Sequence, residues 1–315
     1  MVTGELVSVV IPAYNSAQFI RECIESVLAQ TYKDIEVVVV DDGSTDDTVS
    51  TCEEFGSSIS LFRQENCGRG SARSAGVLKA KGKYLAFLDH DDLLVPGSIQ
   101  NRVELPRKNP EVGWVFSDAI EFDGSGDLRY FLAQFPWLTL DHDIFIQLLR
   151  GCFPLTSTVM IRRSVMDLVG EFNRSLNYGE DLELFLRLAL ISKVGMIKEP
   201  STRRRIHFGQ GVSSNFDRWN SRVMIYANFN PSVGCTSRDQ RMALRRTLKH
   251  AYFKLGEYYW GILNLQRGKD CFRRSLCLNR WLLSALAYYL LSCGPVSFVS
   301  GLRTLKKKRI AFLRK

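Results

Sequence analysis

Two short, mostly apolar runs near the N-terminus constrain this 315-residue chain more than any other feature. Residues 7–11 read VSVVI and residues 35–40 read IEVVVV, both rich in β-branched side chains. Runs of this kind mark strands buried on both faces. Between them Phe19, Ile20, Cys23, Ile24, Val27 and Leu28 recur at helical spacing, with Ser16 placed to cap the helix. Strand, helix and strand within about 35 residues form a βαβ unit, which requires a parallel pair and a right-handed crossover.

The alternation continues. A third strand is predicted at 59–63, a glycine-containing loop at 66–70, a helix through Ala80, a strand ending at Asp89, a helix at 98–108 and a strand at 112–117. Residues 5–120 therefore read as the nucleotide-binding half of a doubly wound α/β domain. Residues 118–200 are less regular, with a loop at 124–126, a helix at 143–150, a strand at 157–161 and an amphipathic helix at 181–191 opened by Glu180 and Asp181. Arg203, Arg204 and Arg205 follow, as a phosphate site or a solvated run. From about residue 217 the pattern is helical throughout. Within residues 250–280, Tyr252, Leu255, Gly256, Tyr259, Gly268, Phe272 and Ser275 match the large–small offsets of one tetratricopeptide helix pair. A single unit is no solenoid, so it reads as a docked helical hairpin.

The stretch KYLAFLDHDDLL at 83–94 carries the chemistry. An apolar run is cut off by Asp89, Asp91 and Asp92, which places negative charge at the carboxyl edge of the sheet, where open α/β folds bind ligands. Carboxylates so close repel one another unless a cation neutralises them, and oxygen ligands suit Mg2+ or Mn2+ with positions left for substrate phosphates. The plainer reading is an acidic turn capping the next helix.

Net charge is +9, yet residues 301–315 hold seven basic side chains and no acid, leaving +2 for the remainder. Basic character confined to one end argues against a nucleic-acid-coating surface and for a local anionic partner. The eight cysteines contain no C-x-x-C pair and read as thiols of a reducing compartment. Residues 7–12 are too short an apolar run for a signal peptide, so a cytoplasmic location is expected. Between Arg280 and Arg303 there is no charged residue, but Gly294 and Pro295 interrupt the stretch. It reads as a buried helix with a short amphipathic successor, as an interfacial anchor on an anionic membrane surface through residues 281–315, or, least readily, as a spanning helix.

The segments VSVVIPAYN (7–15), VVVVDDGSTDDT (37–48), GRGSARSAG (68–76), GKYLAFLDHDD (82–92) and GEDLELFLRLA (179–189) occur in the order and spacing of one family. Over residues 5–215 the chain resembles the family 2 glycosyltransferases. That resemblance implies a GT-A fold, a doubly wound, mostly parallel sheet flanked by helices. Residues 1–215 would be the catalytic domain, with the nucleotide-sugar half at 5–120 and the acceptor half at 121–215. Residues 216–315 would be an all-helical appendage. It implies an inverting enzyme that uses a nucleotide-sugar donor, here expected to be a UDP-sugar, and a divalent metal. The acceptor would be a glycan or a lipid-linked saccharide in cell-surface polysaccharide synthesis, with the enzyme peripheral at the inner face of the membrane.

By position, Asp42 resembles the carboxylate that reads the base, and Pro12 with Tyr14 would wall the ring. Arg73 matches the arginine near the donor. Asp89 would face the ribose or sugar, Asp91 would hold the metal, and Asp92 and His207 would complete its shell. Asp181 sits where the family places its general base. For several of these a plainer role stands beside the functional one: turn and cap for Asp42, a surface charge for Arg73, helix N-terminal charge for Asp181, a loop histidine for His207. Two other classes compete. A nucleotidyltransferase should carry a glycine-rich basic loop after the first strand, where this chain has IPAYN, and a non-catalytic nucleotide-sugar-binding protein would not need Asp181.

Overall fold

The structure, a computed structural model, describes residues 5–176, 178–207, 214–229, 237–278 and 283–293. The chain divides into two compact units, Met1–Gly211 and Val212–Lys315.

In the first unit the apolar runs become β1 (Val7–Ala13) and β2 (Ile35–Asp41), joined by α1 (Ile20–Leu28). They pair in parallel, with Val7 opposite Ile35 and Ala13 opposite Asp41. After α2 (Thr48–Glu53), β3 (Ser60–Arg63) pairs parallel to β2. Then α3 (Arg69–Lys79) leads to β4 (Tyr84–Phe87), parallel to β1 on its other side. Gly76 lets α3 sit hard on this sheet, since a Cβ there would fall 2.3 Å from Val10 Cγ1. Pro12 survives in a central strand because the proline nitrogen and carbonyl point to one side, beyond the end of β4. There the Pro12 carbonyl meets His90 Nδ1 at 3.2 Å instead of a ladder partner.

The second half of the sheet is mixed. β5 (Leu93–Leu94), α4 (Ser98–Lys108), β6 (Val112–Asp123) and β7 (Gly126–Tyr130) are followed by α5 (Ile144–Arg150), β8 (Met160–Arg162), α6 (Arg163–Val169), α7 (Glu180–Ile191) and β9 (Lys193–Arg205). The order is β3-β2-β1-β4-β8-β6-β9-β5, with β7 on β6. β8 runs antiparallel to both β4 and β6, whereas β6 and β9 are parallel. The α/β sheet expected from the sequence is present, parallel throughout β3-β2-β1-β4 and mixed beyond it. The cause is β8, which enters between two earlier strands in the opposite direction, a long-range pairing with no local sequence signal.

In the second unit every element among the described residues is a helix: α8 (Asn215–Asn228), α9 (Arg238–Gly261), α10 (Leu265–Leu278) and α11 (Leu283–Leu291). Ser214 with Asp217, and Ser237 with Gln240, close capping boxes on α8 and α9. α9 and α10 pack closely because Gly256 presents no side chain where the buried Phe272 ring lies. No helix among the described residues is long and apolar enough to cross a membrane. Of the expected C-terminal contact region, 281–315, residues 281, 282 and 294–315 lie outside the described residues.

Candidate active site

The carboxyl edge of β4 gathers the acids. The Asp89 amide donates to Ser157 Oγ at 3.1 Å, and the Ser157 hydroxyl donates to Asp92 Oδ2 at 2.6 Å. Asp92 Oδ1 accepts from the Arg205 amide at 3.1 Å, so both Asp92 oxygens are engaged by the surrounding chain. Burial, reinforced by Asp91 and Asp89, pushes the Asp92 carboxyl well above its ordinary pKa. Asp91 is turned the other way, with its Oδ2 3.0 Å from His207 Nε2. The His207 ring lies 4.6 Å from that of Phe19.

No group of three metal-ligating side chains converges among the described residues. What does converge is one carboxylate and one imidazole, Asp91 and His207. An octahedral Mg2+ or Mn2+ held by few protein ligands takes its remaining positions from phosphate and water, so this donor pair fits such an ion; Asp92, next in the chain, already accepts one hydrogen bond on each oxygen.

Arg73 ties the two halves of the site together. Its guanidinium is buried and gives Nη2 to Asp89 Oδ1 at 2.6 Å and Nη1 to Glu180 Oε1 at 2.7 Å. The Phe172 ring lies 5.7 Å from its Cζ. Two glycines make this reach possible. Gly68 (φ 85°) turns the chain into α3, and Gly179 (φ 81°) starts α7 in a left-handed conformation that a side chain would resist. Burial would raise the Asp89 carboxyl, but the charge and hydrogen bond of Arg73 outweigh it and hold Asp89 below the usual range. Asp181, next to Glu180 on α7, moves the other way. Burial and the neighbouring Glu180 charge raise it, with Arg73 opposing. A carboxyl poised above its ordinary pKa and within the electrostatic reach of a buried arginine is suited to accept a proton.

At the other end of the edge, the Asp42 carboxylate accepts Gln64 Nε2 at 2.7 Å, the Cys67 amide at 2.9 Å and the Gly68 amide at 2.8 Å. Asp42 therefore fixes the loop that opens α3, the helix carrying Arg73. Asp41 has the turn role, accepting from the Ser44 amide at 3.2 Å. Tyr14 follows β1 and is 45% exposed, while Asn15 Oδ1 accepts from the Thr45 amide and ties this turn to the loop after β2.

The candidate residues thus fall into linked groups. Pro12 is joined to His90, Asp42 to the start of α3, Arg73 to both Asp89 and the Glu180–Asp181 pair, and Asp91 to His207. Arg73 is no surface charge. Each of the three arginines is engaged in an ion pair: Arg203 with Asp127, Arg204 with Glu121 and Arg205 with Glu22. Ser157, Gln64 and the Glu180 partner of Arg73 were not singled out from the sequence for these roles. A serine or glutamine has no local signature for a contact made 65 or 22 positions away.

Residues 8–167 match the model of the family described as Glycosyl transferase family 2. An uncharacterized glycosyltransferase of Rickettsia typhi is 32% identical over 232 residues, 71% of each chain. Chondroitin synthase of Escherichia coli is 30% identical over 217 residues, covering 66% of this chain and 30% of that protein. Among solved structures, S. aureus TarS 1-349 in complex with UDP-GlcNAc superposes with a TM-score of 0.63 at 17% identity, over 91% of this chain and 90% of that one. The mannosyltransferase PcManGT from Pyrobaculum calidifontis, in complex with GDP-Man and Mn2+, gives 0.58 at 16% identity, over 97% and 87%.

Proposed function

This chain belongs to glycosyl transferase family 2, and on that premise we propose that it is an inverting enzyme that moves a sugar from a UDP-sugar to a hydroxyl of a glycan or lipid-linked saccharide. The observation that carries the reading is Arg73 held between Asp89 and Glu180, with the raised carboxyl of Asp181 beside it. In this reading Asp181 takes the proton of the attacking acceptor hydroxyl. The new bond forms at the anomeric carbon as its bond to the diphosphate breaks, and the bonding electrons leave on the diphosphate oxygen. Pro12 and Tyr14 wall the base, Asp42 accepts from it, and Arg73 orients Asp89 toward the sugar.

Asp91 and His207 would hold Mg2+ or Mn2+, which when bound neutralises charge on the diphosphate leaving group. The donor assignment draws on TarS, solved with UDP-GlcNAc, and the metal on PcManGT, solved with Mn2+. The likeness to chondroitin synthase supports a polysaccharide acceptor, and we assign the product to the cell surface. Residues 281–315 would rest on an anionic membrane face, a role consistent with the exposed Leu286 and Leu290 of α11.

A thermal-shift panel of UDP-, GDP- and dTDP-sugars, with and without Mn2+, tests the donor and the metal together. Stabilisation by a UDP-sugar that needs Mn2+ is the expected result. Equal response to all three bases, or none, would sink it.

A further inference from the structure

The acceptor half carries an aromatic cluster that the donor chemistry leaves unused. Trp137, on the segment between β7 and α5, is half-buried. The rings of Phe135 and Phe153 meet it nearly perpendicular, at 5.8 and 6.1 Å between centroids. The exposed guanidinium of Arg150 lies over the indole at 6.0 Å, the outer limit of a cation–π contact, where an incoming ligand can displace it.

This segment is built to stay put. Gln147, buried on α5, accepts from the Thr139 amide at 3.0 Å and donates Nε2 to the Thr139 carbonyl at 2.6 Å and to the His142 carbonyl at 3.2 Å. A buried carboxamide spent on the backbone at 139 and 142 anchors the segment two residues beyond Trp137. Such preorganisation is what a binding surface gains from.

The cluster is also continuous with the site. Phe153 packs on Phe116 at 5.4 Å, and α5 lies against α7, the helix that carries Asp181. Four residues beyond Phe153 stands Ser157, which holds Asp92 and the Asp89 amide. Four residues of chain span at most about 14 Å, so the aromatic cluster lies within a few sugar lengths of the acids.

We propose that Trp137, backed by Phe135 and Phe153, is a stacking platform for a pyranose ring of the acceptor glycan, placed upstream of the sugar whose hydroxyl attacks. The C–H face of a pyranose is flat and apolar, which suits an indole, and its rim of hydroxyls suits the neighbouring Arg150. The proposal rests on the reading of a saccharide acceptor given above.

The test uses full-length protein labelled with 5-fluorotryptophan, whose five tryptophans are read by 19F NMR, with the Trp137 signal identified by its loss in Trp137→Phe. In the presence of UDP and Mn2+, chitohexaose, cellohexaose and hyaluronan hexasaccharide are titrated separately. At least one should move the Trp137 signal, and Trp137→Ala should weaken that saccharide about tenfold while the UDP-induced thermal shift stays the same. A response to hyaluronan alone would add Arg150 as a partner for an acidic sugar. A Trp137 signal that stays fixed with all three saccharides would overturn the proposal, as would unchanged affinity in Trp137→Ala. Loss of the UDP response in the unmodified protein would instead overturn the donor assignment. Should Trp137→Ala fail to fold, the labelled parent protein still decides.

Discussion

Arg73 Nη1 stands 2.7 Å from Glu180 Oε1, a pair separated by 107 positions and closed away from solvent on both sides. The same guanidinium reaches Asp89, so one side chain joins the helix after the glycine loop, the acidic end of β4 and the first turn of α7. The pairing is not saturated: Arg73 Nε and Glu180 Oε2 are buried with no hydrogen-bond partner. Burying such groups is costly, and the arrangement survives because each charge is met by another.

Breaking the clamp should therefore be severe. Arg73→Met leaves Glu180 only its longer, 3.7 Å contact with Arg69 and strips Asp89 of its hydrogen-bonded partner, and should cost about 3–5 kcal/mol, measured by urea unfolding. Adding Glu180→Leu should restore part of that stability without restoring transfer. A single variant as stable as the parent would contradict the clamp.

Asp181 makes a prediction in pH. Its folded pKa is raised by burial and by Glu180, so transfer should fall as pH drops through that raised value, at higher pH than an ordinary carboxylate would give. The stability effect has the opposite sense. Above the folded pKa the buried charge is carried in full, and below the unfolded pKa both states are protonated and the cost vanishes. Asp181→Asn should thus be more stable than the parent at neutral pH, with the gap closing as pH falls through the carboxylate range. Its turnover should drop by roughly 10²–10⁴ with donor affinity intact, as steady-state kinetics and calorimetry would show.

The two faces of the acidic turn should separate by phenotype. Asp91→Asn and His207→Ala should each raise the Mn2+ concentration for half-maximal donor hydrolysis by about tenfold or more, with little change in thermal midpoint. Asp92→Ala should lower the thermal midpoint, because it strands the Ser157 hydroxyl and the Arg205 amide. Chelation should abolish activity and spare the fold.

Asp42 should prove to be two things at once. Asp42→Ala removes the acceptor for three donors of the 64–68 loop and should cost stability as well as UDP affinity. Gln64→Ala removes one of those donors and should cost about 1.5–3 kcal/mol at most, the range for a bond to a charged group. Paired UDP calorimetry and urea melts would distinguish the two.

Gly256→Ala tests the helix pair of the second unit. The added Cβ would lie 2.6 Å from Phe272 Cε1, inside a packed ring, and should destabilise that unit by about 1–3 kcal/mol in differential scanning calorimetry.

Much of this molecule is written locally. The β-branched runs favour β1 and β2, because short, mostly apolar segments of branched residues suit strands buried on both faces. The spacing of Gly68, Asp89 and Gly179 along the chain announces the loop, the acidic edge and the start of α7, since each is a local backbone or charge requirement. Tertiary structure alone decided which acid does what. Nothing in the order Asp89, His90, Asp91, Asp92 says that one carboxylate meets Arg73, one meets His207 and one is consumed by Ser157 and Arg205. The same holds for the mixed half of the sheet, where β8 slots between β4 and β6. Periodicity reports the environment of a residue along its own element; the identity of a partner 16 to 116 positions away is set only when separate segments close on one another, and charge there is assigned by what each carboxylate finds within reach.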